Sequence, residues 1–460
     1  MVFEDSAALR RFLLGLAEGM NAAGEPVSGI HETMVTVAHA YGREDTDFVL
    51  LPTVILVETG RGEEGRVAIR SAVNASFRFD QIAALYPLVE EAKRGAVDPA
   101  EGIRRLNEIG AMQPAHRWLL RTFGHAVLTT GLALLLAPTW QGALVAFCLG
   151  AFIGLAKLVR SPTLQIVFPI FAAFVCALAV FLLAPYIEIG DPLTLLIAPL
   201  VTFLPGGALT TATVELASGQ MISGASRLVF GLVQLALLSF GILAAGTVVG
   251  VESSEYTALE VTAPFPWWTA MVGVLLFAVG NYLHFSAPAS TFGWVLLALV
   301  VAYTGQQLGT VLIGASISGF IGALAMTPVV LWIGTLRHGV PSQLTFLPAF
   351  WLLVPGAAGL VGLTEAVGAS QGMDDFTAAL TSVMSIALGV LIGTALYRFA
   401  HHGAEELAQF HIEVPAALVA TEQPPFWARM LPGTPRSFWG GRRVPEAPDA
   451  APDARPPGRR

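Results

Sequence analysis

Charge is scarce in this chain: only 13% of its 460 residues are Asp, Glu, Lys or Arg, against 54% hydrophobic residues. With a mean hydropathy of +0.66, that balance excludes a string of soluble domains. A net charge of −8 leaves no basic footprint, so nucleic acid is excluded as a partner. Cysteine is nearly absent. Cys148 and Cys176 both fall in apolar stretches, where small buried hydrophobes are expected rather than a disulfide. The apolar run from Phe12 to Leu16 is far too short for a signal-peptide core, so no cleaved leader is expected.

What fills the middle of the chain is a series of membrane-length apolar segments. A span needs about 20 mostly apolar residues. Segments 119–138, 141–157, 163–185, 193–213, 222–250, 267–286, 289–306, 308–334, 343–365 and 376–397 qualify. The fold class expected is therefore membrane all-α, with ten transmembrane helices. Lys157 and the Gln306-Gln307 pair are expected to limit the second and seventh spans. Lys and Arg favour the cytoplasmic side of short loops. Arg104, Arg105, Arg117 and Arg121 precede the first span, Lys157 and Arg160 follow the second, and Arg227, Arg337 and Arg398 follow the fourth, eighth and tenth. All fall on one side, and the opposite loops carry Glu188, Asp191, Glu252, Glu255, Glu260, Asp374 and Asp375 with no Lys or Arg. Both termini are thus expected in the cytoplasm of a multi-pass protein.

Two copies of one short pattern mark the fourth and ninth spans: Leu204-Pro205-Gly206-Gly207-Ala208 leading to Glu215, and Val354-Pro355-Gly356-Ala357-Ala358 leading to Glu365. Five spans precede the outer loop and five follow it, and an odd number inverts the second copy. The expected layout is a first five-helix repeat at 118–250, an extracytoplasmic loop at 251–266 and an inverted second repeat at 267–400. Pro removes a backbone donor and Gly relaxes the chain, so backbone groups freed there need protein, water or substrate partners. Pro205, Gly206, Gly207, Thr210, Thr211, Pro355 and Gly356 are the candidate substrate-binding residues, with Thr213 adding a third hydroxyl. Half-helix N-termini suit a carboxylate, and exposed carbonyls suit an ammonium or hydroxyl. Glu215 and Glu365 are the proton-coupling candidates. Straight helices would leave both carboxylates near the interfaces, whereas unwinding at Pro-Gly would draw them inward, where they could exchange protons near neutral pH. Gln165, Gln234, Asn281, His284, Gln306 and Gln307 read as interhelical hydrogen-bond partners. His125 has the titration range of a relay but no partner evident in the sequence.

Residues 1–117 read as a small cytoplasmic α/β domain, with helices near 6–19, 28–41, 80–94 and 98–110 and strands near 47–58 and 65–71. Pro52 suits an edge strand, which could pair with a second subunit in a homo-oligomer. His31-Glu32-Thr33-Met34-Val35 starts like a zinc-protease helix, but Val35 stands where the second His belongs, so neither metal nor cofactor is expected. Residues 401–460, rich in Pro, Ala and Arg, read as a mostly disordered tail.

Gly29-Ile30-His31-Glu32-Thr33, Leu51-Pro52-Thr53 and the stretch from Phe203 through Glu215, Gly219 and Arg227 together resemble the threonine/serine exporter family of bacterial inner membranes. The resemblance covers roughly residues 20–400. It implies efflux of small hydroxy amino acids, threonine and serine, driven by the proton gradient across the lipid bilayer. Two readings stand beside it. One is a membrane-anchored hydrolase whose active site, around His31 and Glu32, lies in residues 1–117, and the other is a passive channel or sensor.

Overall fold

Amphipathic periodicity shapes the amino-terminal third of the computed structural model, which describes residues 6–60, 66–71, 76–136, 139–159, 162–251, 266–353, 360–365 and 373–408. Helices α1 (Ser6–Ala22) and α2 (Val27–Ala40) bury their apolar faces against a sheet of β1 (Thr46–Leu50), β2 (Val54–Thr59) and β3 (Arg66–Ser71), followed by α3 (Phe79–Lys93) and α4 (Pro99–Ala111). The sheet is an antiparallel meander, with Phe48 opposite Val57 and Val57 opposite Ala68. The single strand expected over 47–58 is instead a hairpin. Leu51-Pro52-Thr53 forms its turn, because Pro52 has no N–H for a ladder.

Each of the ten segments expected to span contains a helix: α5 (Trp118–Leu136), α6 (Trp140–Ala156), α7 (Pro162–Leu183), α8 (Pro192–Leu200) with α9 (Gly206–Ala217), α10 (Met221–Val249), α11 (Trp267–His284), α12 (Phe292–Ile313), α13 (Ser318–Thr335), α14 (Ser342–Leu352) with helical residues 360–365, and α15 (Met373–Ala408). Among the described residues, five helices are long and apolar enough to cross a membrane, and six if the bent pair α8–α9 is one span. The Gln306-Gln307 pair does not end α12, which runs on to Ile313 and stops at Gly314, whose φ of 92° admits glycine readily. Large apolar side chains on α10, α12 and α15, such as Phe230, Phe240, Val311, Leu312, Leu388 and Leu396, are exposed, while His125, Thr129, Asn281 and Thr364 are buried. Apolar outside and polar inside is the arrangement a lipid solvent selects. Cys176 is buried as expected, but Cys148 lies exposed on α6, and both are free thiols.

Helix pairing follows glycine. A methyl on Gly131 would lie 2.4 Å from the Phe277 amide, and one on Gly280 would lie 2.2 Å from that of Leu128, so α5 and α11 touch backbone to backbone. Gly124 meets His284 and Gly273 meets Leu135, so residue numbers fall on one helix as they rise on the other, and α5 and α11 run antiparallel. The third and fifth helices pair in both halves: Gly241 of α10 meets Ile170 and Ala173 of α7, and Gly389 of α15 meets Phe320 and Ala323 of α13. The amino-terminal helices pack on the helices that follow: Phe79 of α3 stacks 5.0 Å from Phe285 at the end of α11.

Candidate functional site

Segment 193–213 breaks where the sequence places Pro205. Asp191 caps α8, accepting from the Leu193 and Thr194 amides, and Pro192 occupies the first helical position. After nine residues α8 tightens into a short 3-10 turn at Val201–Phe203, Leu204 is extended, and α9 leaves at 70°. Pro205 and Gly206 are buried, and a methyl on Gly207 would meet nothing within 4 Å. The Phe203 carbonyl, freed by the break, accepts from Gln234 Nε2 of α10 at 2.6 Å. One turn beyond, the Thr210 hydroxyl is buried and has no hydrogen-bond partner among the described residues. Thr211 is half-buried, and the Thr213 hydroxyl donates to the Leu209 carbonyl within the helix.

Glu215 is buried, though neither in a solvated loop nor among apolar side chains. Its carboxylate accepts from the Val27 amide at 3.0 Å and from Arg227 Nε at 3.2 Å. Val27 opens α2, where N–H groups lack helical partners and the dipole favours an anion. Arg227 also donates to Asn21, which donates in turn to the Pro52 carbonyl. The motif residues Leu51-Pro52-Thr53, Glu215 and Arg227 thus meet in one contact between the amino-terminal helices and α9–α10.

The second pattern is only partly in view. Pro355 and Gly356 lie outside the described residues. Glu365 closes the helical stretch 360–365, where Thr364 is buried and donates to Ser239 of α10 at 3.2 Å. Helix α14 parallels α8: it is 11 residues long, with Pro341 at its start and Pro348 seven residues on, as Pro192 and Pro199 stand in α8. This repeat signal was in the sequence but lay outside the Pro-Gly pattern. At 1.5 Å per residue the two helices reach only about 14 and 17 Å, half a bilayer core.

A group of residues that sequence reasoning missed abuts the first break. Lys157, just past α6, donates to the Thr202 hydroxyl in the 3-10 turn. Thr202 Oγ1 is 3.1 Å from His125 Nε2, and His125 Nδ1 lies 2.8 Å from the Gly150 carbonyl, which only a protonated Nδ1 can engage. Ammonium, hydroxyl and imidazole therefore form one directed chain. His284 packs edge-on at 4.7 Å from His125, and its own Nδ1 faces the Arg121 carbonyl. Lys157 and His125 were visible only as separate residues, because 32 positions of chain divide them.

His31 and Glu32 do not converge on a shared centre. The His31 ring lies edge-on to Phe48, and Glu32 pairs with Arg398. Among the described residues no group of three His, Cys, Asp or Glu side chains is arranged to hold a metal.

The sequence profile of the threonine/serine exporter family (ThrE) matches residues 11–249, just over half of the chain. The chain belongs to the threonine/serine exporter family. It is 26% identical over 434 residues to a protein of Mycobacterium tuberculosis named "Probable threonine/serine exporter", an alignment covering 88% of this chain and 79% of that one. The "Threonine/serine exporter" of Corynebacterium glutamicum is 22% identical, with 79% of this chain and 77% of the relative aligned. "Pheromone-regulated membrane protein 10" of the fungus Eremothecium gossypii is 25% identical over 83% of this chain and 55% of its own length. No solved structure matches. The family's profile spans the hairpin turn, the α8–α9 break, Glu215 and Arg227, so the contact described above lies within its signature.

Proposed function

We propose that this chain exports threonine and serine across the inner membrane of a bacterial cell as a proton antiporter, binding them where its two broken spans meet. One observation carries the reading: the 70° break at Leu204-Pro205, followed by a buried, unpartnered Thr210 hydroxyl and open space at Gly207. A buried hydroxyl without a partner costs about 1–3 kcal/mol, so its retention suits a substrate with a hydroxyl or ammonium to bond it. The names of the relatives support the substrates. Thr211, Pro205, Gly206 and, in the second copy, Pro355 and Gly356 complete the proposed site.

The ten-span inverted layout draws support from the antiparallel α5–α11 contact, the third-with-fifth pairing in each half, and the matched prolines of α8 and α14. Cytoplasmic termini draw support from the amino-terminal helices, which touch Arg227, Gln343 and Arg398, all at the ends bearing positive charge. Glu215 and Glu365 remain the proposed proton carriers. A proton on Glu215 would take the counter-charge from Arg227 and the acceptor from Val27, loosening α9 from the amino-terminal helices.

Uptake into inside-out vesicles with a panel of labelled amino acids, with and without an imposed proton gradient, tests the proposal. Threonine and serine accumulation that an uncoupler collapses is expected. Equilibration without accumulation would leave a passive channel.

A further inference from the structure

Away from the break, a cavity of about 420 Å³ opens between the amino-terminal helices and the turn joining α13 to α14. Glu25, Thr33, Tyr86, Glu90, Lys93 and Ser342 are its polar lining. Its volume falls within the roughly 300–1,000 Å³ of small-molecule sites.

Glu25 is not held as a structural carboxylate would be. One oxygen, Oε2, accepts from both the Tyr86 hydroxyl and Gln343 Nε2, the latter at 2.6 Å. The other, Oε1, accepts no hydrogen bond among the described residues. Glu25 is half-buried, and the acceptor capacity of Oε1 is left for solvent or a ligand. The space before Oε1 is kept by glycine: a methyl on Gly29 would lie 2.8 Å from it. Burial pushes the Glu25 carboxyl above its ordinary range, while Tyr86, Gln343 and Lys93 pull it back. Lys93 Nζ spends one donor on Glu90, at 2.8 Å, and an ammonium has three. The cavity thus brings together the Glu25 carboxyl and a lysine with donors to spare, flanked by the Thr33 and Ser342 hydroxyls.

We propose that this cavity is a second binding site, for a free amino acid taken up as its zwitterion, with the ammonium on Glu25 and the carboxylate on Lys93. The site deepens the exporter reading and rests on it for the choice of amino acid: it is a loading site facing the cytoplasm, before the broken spans. Gln343 ties it to α14, so an occupant competing for Glu25 acts directly on that helix.

Titration calorimetry on the purified full-length chain tests the assignment with four probes: L-threonine, L-serine, threoninol, which lacks the carboxylate, and 3-hydroxybutyrate, which lacks the amine. The expected result is threonine and serine binding that Glu25→Gln and Lys93→Met each weaken tenfold or more, weaker binding of threoninol, and none of 3-hydroxybutyrate. Unchanged threonine affinity in both variants, or no threonine binding by the parent protein, would overturn it. So would 3-hydroxybutyrate binding as tightly as threonine. Thermal unfolding of each variant separates loss of the site from loss of the fold. Vesicle flux of the parent protein is judged apart: if threonine does not move but binding depends on Glu25, the exporter reading falls and the site stands.

Discussion

The loop between α1 and α2 grips both short, proline-bounded helices, but with carboxylates in opposite circumstances. At α9, Glu215 is wholly buried and accepts one hydrogen bond on each oxygen, from the Val27 amide that opens α2 and from Arg227 of α10, with which it forms an ion pair. At α14 the grip is half-buried Glu25, which bonds Gln343 through one oxygen, the other accepting no hydrogen bond among the described residues. Removing one member of a desolvated pair strands the other, so the first grip is costly to release. The second can exchange its partner for a ligand at small cost. On the function proposed above, the second half would move on loading while the first stays anchored until Glu215 is protonated.

The largest effect that would break this contrast is at the anchor. Glu215→Ala is expected to lower stability by about 3 kcal/mol and abolish flux, and adding Arg227→Met should recover part of the stability, as a denaturation cycle of the single and double variants would read. Next comes Thr202→Val, which cuts the chain between Lys157 and His125 and leaves both short of a partner. A loss of about 1–3 kcal/mol is expected, with proton-driven flux falling more than threonine binding.

Glu25→Gln should act in the opposite direction. Its folded-state carboxyl is raised by burial, so its contribution to stability is full below the ordinary carboxylate range and is lost as pH rises through the raised value. Glutamine keeps an acceptor and never ionises. The variant is expected to melt a few degrees above the parent at neutral pH, with the gap closing as pH falls, in parallel thermal scans. Thr210→Val should also stabilise, by about 1 kcal/mol or more, since it loses no hydrogen bond and removes a buried hydroxyl without a partner among the described residues. Competition assays should nonetheless show it losing preference for threonine over valine.

Local and compositional features were legible in the sequence. The helices expected at 6–19, 28–41, 80–94 and 98–110 appear at Ser6–Ala22, Val27–Ala40, Phe79–Lys93 and Pro99–Ala111, because apolar spacing and capping residues such as Asp98 act within a few positions. The Pro205 break was legible for the same reason. What escaped depends on contacts between distant positions. Pro52 reads equally as an edge residue or a turn until β2 folds back on β1. Glu215 was placed by its distance along a helix, and its partners, Val27 and Arg227, come from elsewhere in the fold. His125 looked solitary because Lys157 and Thr202 reach it only when α6 and α8 pack on α5.

The claim most central to this account is that substrate occupies the break between α8 and α9. Gly207→Cys offers a direct reading, since a side chain there meets open space, once Cys148 and Cys176 are replaced by alanine. The rate at which a maleimide labels it in membranes should fall severalfold in saturating threonine or serine and be unmoved by valine. Labelling at one rate whatever amino acid is present would contradict the account.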